Sequence, residues 1–175
     1  MSSDVAALLQ RWRAAERRLQ GTADDLDREG LTQDVIQTWL AYHAAAAAAG
    51  SAEIILVTDR QRRYVAATDN AATLFGGDPV GASIDDVATQ GPDELDRTWD
   101  AFASHGSMEG EYEIRDSAGS IVRVRFQAFA DVPLPGFFVS HLTPVASESE
   151  TGFPNSVDPV QRGRTLVATL REQTR

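Results

Sequence analysis

Polar and apolar residues alternate most regularly between Met108 and Asp131. Met108, Gly110, Tyr112 and Ile114 interleave with Glu109, Glu111, Glu113 and Arg115. A period of two marks a strand with one buried face. Asp116 to Ser120 reads as a turn in which Gly119 can take positive φ. The alternation then resumes, with Val122, Val124, Phe126, Ala128 and Ala130 on one side and Arg123, Arg125 and Gln127 on the other. The outer face of this hairpin sets glutamates beside arginines, which helps fix the register. Its inner face is apolar, and a lone hairpin is marginal in water, so the rest of the chain must cover it.

Nearer the start the period lengthens. Val5, Leu8, Trp12, Ala15, Leu19, Thr22 and Leu26 recur at alternating spacings of three and four, the seam of a helix that packs on another helix. Two readings stand: a homodimer interface through Val5, Leu8, Trp12, Ala15 and Leu19, or an amphipathic helix lying on its own domain. Trp12 is the natural anchor of the first. Gly30 predicts a break, after which Thr32 caps a second helix with Leu31 stapled against Ile36. Val35, Ile36, Trp39, Leu40 and His43 form its stripe, with His43 packed rather than ligating, and Gly50 is its expected C-terminal cap.

Glu53–Thr58 is a short apolar run, read as a buried strand, and Arg63–Ala67 returns beside it. Thr68 or Asp69 caps a helical turn carrying Ala71, Ala72, Leu74 and Phe75, which stops at Gly76-Gly77. Ser83 caps a short turn with Asp86 three residues later. From Asp93 a longer helix places Leu95, Trp99, Phe102 and Ala103 on one face and ends at His105-Gly106. Phe137–Leu142 is the last strand. This order predicts an α+β fold, a five-stranded antiparallel sheet with the crossover helices on one face. A two-helix N-terminal extension (1–50) precedes the sheet domain (51–145), and a linker and C-terminal helix (146–175) carrying Val160, Leu166, Val167 and Leu170 follow it. The last strand has large apolar groups on both faces, and Phe129 joins the outer set, so a lead-in helix from the same chain or from a partner should cover part of the outer side.

Several stretches together resemble a PAS domain over about residues 51–145. RYVAATDNAATLFG is similar to the family's second strand and following helix. VGASIDDV resembles its glycine–x–serine–isoleucine stretch, GSMEGEYEIRDSAGSIVRVRFQAFA its central hairpin, and LPGFFVSHLTPV its closing strand. Thr68 stands where the family often has asparagine, and Ala118-Gly119 where it often has Asp-Gly. The resemblance implies a noncatalytic sensory or interaction module. Such a fold holds a small ligand between sheet and crossover helices, or works by protein contacts alone, and signals through its terminal helices and dimerisation to a separate signalling protein. Thr68, Leu74, Phe75, Trp99, Phe102, Tyr112 and Phe126 are then the candidate ligand-binding residues; the same side chains would equally fill a solid core.

Composition narrows the chemistry. The chain has 175 residues, 42% hydrophobic, with a formal net charge of -10, which disfavours nucleic acid and anionic membranes as partners. All 16 basic residues are arginine, so no P-loop or Schiff-base lysine exists. There is no cysteine, which excludes thiol nucleophiles, zinc–thiolate sites, disulfides and the cysteinyl-flavin photochemistry of light-sensing PAS proteins. Noncovalent flavin and lipid stay open. Haem in PAS sensors is held by a histidine of the long helix; His105 lies at that helix's end, where capping is the favoured role. The three histidines show no metal-binding spacing. Neither a secretory leader nor a bilayer-length apolar run is seen, and the expected location is cytoplasmic. Two rivals to the sensor are a small-molecule-binding enzyme on an α+β cone scaffold and a ligand-free dimerisation adaptor.

Overall fold

The computed structural model describes residues 3–22, 25–47 and 53–145. Gly50 and the whole 146–175 segment, with its expected helix, lie outside the described residues. The central hairpin forms as its alternation predicts. Strand β3 (Ser107–Arg115) pairs with β4 (Ile121–Ala130), Tyr112 opposite Val124 and Glu111 opposite Arg125. The Asp116 carboxylate accepts from the backbone N–H groups of Ala118 (2.9 Å) and Ser120 (2.7 Å), and Gly119 sits at φ +86°. On the outer face the Glu111 carboxylate lies 3.0 Å from Arg125 and 3.5 Å from Arg123. These exposed pairs contribute little energy but specify register.

Strands β1 (Ile54–Thr58), β2 (Tyr64–Ala67) and β5 (Phe138–Pro144) complete an antiparallel sheet in the order β2-β1-β5-β4-β3. The inner face carries Ile54, Leu56, Ile114, Val124 and Leu142, all buried. They pack beneath Leu74 and Phe75 of α3 (Ala71–Phe75). The crossover continues through α4 (Ile84–Val87) and α5 (Pro92–His105). Ser83 and Asp86 make the expected capping box at α4. Helix α5 starts one residue earlier than the pattern predicts, because Pro92 is preset for the first helical position after Gly91. Ala103 is exposed rather than on the face that buries Leu95 and Phe102. Asn70, rather than Thr68 or Asp69, stands at the N-cap of α3.

The N-terminal helices differ most from expectation. Helix α1 (Ser3–Gly21) is followed by α2 (Asp25–Ala46), which runs straight through Gly30. An interior glycine costs about 1 kcal/mol. Packing outweighs it, since α2 buries Val35 against Ala15 and Leu19 of α1, and Ile36, Trp39 and Leu40 against Ile55, Val57, Ala66 and Val139 of the sheet. Thr32 therefore caps nothing. Its hydroxyl donates to the Arg28 carbonyl one turn back (2.8 Å), and Leu31 packs on the α1–α2 contact. So α2 covers the outer side of β2, β1 and β5 from within the same chain. The cover is partial: Phe129 remains 41% exposed.

A candidate ligand site between the sheet and the crossover helices

Local bonds hold the crossover over the inner face. The Thr68 hydroxyl accepts from the Ile55 N–H (3.1 Å) and donates to Asn70 Oδ1 (2.6 Å). Asn70 Nδ2 donates in turn to the Glu53 carbonyl (2.9 Å). These bonds pin the start of α3 to β1. Its end is latched by the tip of the central hairpin: the Ser117 N–H donates to the Phe75 carbonyl and the Ser117 hydroxyl to the Gly76 carbonyl, each at 2.9 Å. Single bridges tie Ser83 to Arg63 beside β2, and Ala88 to Ile114 of β3. The two edge strands are thus joined through α4, whose four residues rise only about 6 Å. The sheet must curl to allow it, and side chains on opposite edges meet inside.

Arg62 fastens the remaining helix. It takes φ +61° in the β1–β2 turn, and its guanidinium lies 2.5 Å from Asp96 of α5, 3.4 Å from Asp85 of α4, and 6.0 Å from the Trp99 ring centre.

Two tyrosines face each other across this interior. Tyr64 on β2 is buried and meets Phe75 edge-to-face at 5.6 Å; Tyr112 on β3 meets Phe126 edge-to-face at 5.1 Å. Burial pushes both phenols well above their ordinary pKa, and the neighbouring Tyr112 phenol raises Tyr64 further. Both are neutral donors at ordinary pH. No hydrogen bond to either phenol is found among the described residues. Neither phenol oxygen is among the fully buried polar atoms left without a partner, so each hydroxyl is free to donate to an acceptor that reaches it.

Of the residues singled out from sequence, the structure groups Leu74, Phe75, Tyr112 and Phe126 in one apolar cluster. Trp99 and Phe102 fall in a second, with Phe138 and Ala128, which Phe126 also touches. Thr68 is engaged with backbone and Asn70 as described. Tyr64 was not among the sequence candidates. Its signal was the alternation Tyr64–Ala66 on the edge opposite Tyr112, legible only once the sheet order is known. Haem does not fit. His105 is exposed and its Nδ1 lies 2.6 Å from the Ala101 carbonyl of its own helix. Among the described residues no group of three His, Asp or Glu side chains could hold a metal ion, and no helix is long and apolar enough to cross a membrane. Two open clefts lie outside the interior: one of about 850 Å³ where α1 meets α2, and one of about 500 Å³ on the outer face of β3–β4 beside His141. Of the seam residues, Ala15 and Leu19 are buried against α2, whereas Val5, Leu8 and Trp12 are only partly buried.

No family model and no curated protein matches the chain. Solved structures do. A PAS domain of a two-component sensor histidine kinase shares 10% identity at a TM-score of 0.50, over 63% of this chain and 97% of that one. The PAS domain of an HTR-like protein from Haloarcula marismortui shares 14% at 0.50, over 62% and 97%. A PAS domain from Colwellia psychrerythraea shares 17% at 0.49, over 59% and 94%. Identities this low speak for the fold alone. With the sheet order, the helical crossover and the central hairpin all in place, the chain contains a PAS-fold domain, preceded by a two-helix extension.

Proposed function

We propose that this chain is a noncatalytic PAS-type sensory module. It takes a small molecule bearing a hydrogen-bond acceptor, such as a carboxylate or carbonyl, between Tyr64 and Tyr112. Leu74, Phe75 and Phe126 pack around the ligand, with Trp99 and Phe102 behind. The observation that carries the reading is the convergence of two neutral phenols in one apolar cluster, with no hydrogen bond to either hydroxyl among the described residues. The named residues of this interior include no carboxylate or imidazole, so an enzyme built here would have only the two phenols as acid or base. The interlocked Tyr64–Phe75 and Tyr112–Phe126 pairs would have to part for a flavin or a long lipid, so a compact ligand is favoured. Occupancy would press on α3 and on the Ser117 latch, and the α1–α2 cover and a homodimer would carry the change to a separate signalling protein.

The same interlocked rings favour the ligand-free adaptor as the second reading. Native mass spectrometry of the purified full chain, followed by thermal shifts with a panel of small carboxylates and ketones, separates the two. The sensor reading expects a retained mass or a shift that Tyr64→Phe and Tyr112→Phe each weaken. It is lost if nothing binds and both substitutions raise stability, as they would in a solid core.

A further inference from the structure

A histidine sits among the aromatic rings where α1 meets α2. His43, near the end of α2, has its ring 4.1 Å from that of Trp39, 5.1 Å from Tyr42 and 5.9 Å from Trp12. Trp12 also stacks on Tyr42 at 5.6 Å, so the four rings clasp α1 to α2. Trp39 carries the clasp on to Ile55, Val57 and Val139 of the sheet. No hydrogen bond to the imidazole is found among the described residues, and the Trp12 indole N–H is buried without a partner.

The groups around His43 come from each packed element. From β5 comes His141, whose Nδ1 lies 3.1 Å from Glu53 Oε1 and whose ring meets Phe129 of β4 at 6.1 Å. From α1 comes the Trp12 indole, with Arg11 and Arg13 exposed and Glu16 partly so. On α2 itself the titratable neighbour is Tyr42. The acid beside His141 is Glu53.

We propose that the α1–α2 hairpin is a proton-released cover: a charged His43 unseats it from the outer sheet face and bares Ile55, Val57, Val139 and the already exposed Phe129. Burial, and secondarily His141, hold the His43 pKa below its ordinary 6.5. The aromatic faces offer an imidazolium some attraction, but they also displace part of the water that would solvate it. A base whose folded pKa is depressed gives its full stabilisation above the unfolded value. That stabilisation is lost as pH falls from 6.5 toward the lower folded value. Acid would thus act on the outer face, independently of any ligand at Tyr64 and Tyr112.

Amide hydrogen exchange of the full chain at about pH 7.5 and 5.5, corrected for intrinsic rates, tests this. Peptides from 3–22 and 25–47 should lose protection at the lower pH, the direction that a lowered His43 pKa requires. Peptides from β3, β4 and α5 should keep theirs. His43→Gln should flatten the difference, His43→Phe should do the same should the glutamine variant fold poorly, and His141→Gln should shrink it. The proposal fails if the hairpin's protection is indifferent to pH, if every peptide loses protection together, or if both His43 variants respond as the parent does.

Discussion

At the scale of single residues, backbone freedom and buried hydroxyls decide most. Gly76 sits at φ +71°, and a Cβ there would stand 2.5 Å from the Ser117 hydroxyl oxygen that latches it. Gly77, next in line, has open space around it and no positive φ. Gly76→Ala should therefore destabilise by about 1–3 kcal/mol and Gly77→Ala by almost nothing, as chemical denaturation would show. Equal effects would mean that the latch does not restrain the turn. The glycine stop was legible in the sequence; the serine above it, 41 residues on, was not. The tyrosines give a second expectation. Their phenols are raised above the ordinary 10.0, so the folded state holds these protons after the unfolded chain has released them. Stability is then full below about pH 10 and falls as pH rises beyond it. Replacing both by phenylalanine should blunt that alkaline loss, followed by circular dichroism; an unchanged alkaline midpoint would contradict the burial of these phenols.

At the scale of elements, local signals worked where a side chain and its own backbone settle the matter. The Ser83 capping box, the Asp116 turn and the alternation of β3 and β4 are of this kind. They failed at Gly30, where local propensity favours a break but α2 is held by side chains on both sides of it. A Cβ at Gly30 would meet nothing within 4 Å. Gly30→Ala should hence stabilise the protein by roughly 0.5–1 kcal/mol, the helix-propensity difference, seen as a higher melting temperature. Destabilisation would indicate that the helix needs a flexible point there. Thr68 shows the same limit from the other side. Its hydroxyl suits a cap, but the Ile55 N–H across the hairpin claims it.

At the scale of the whole molecule, the open question is what lies on α1. Ala15 and Leu19 are spent within the chain, while Val5, Leu8 and Trp12 keep part of their surface. If a homodimer forms through this helix, light scattering at high micromolar concentration should give twice the mass of one chain, and Leu8→Glu should halve it. A monomeric parent would leave α1 an intrachain cover only. The sequence by itself determined the α+β class, the inner and outer faces of the central hairpin and the apolar seam of α1. Each follows from residues a few positions apart, whose periodicity reports which side meets water. Only the tertiary structure decided that α2 covers the sheet from its own chain, that Phe129 stays bare, and that Tyr64 and Tyr112 converge. Those outcomes depend on strand order and on the curl that α4 imposes between the two sheet edges, contacts between residues distant in the chain that local pattern does not encode.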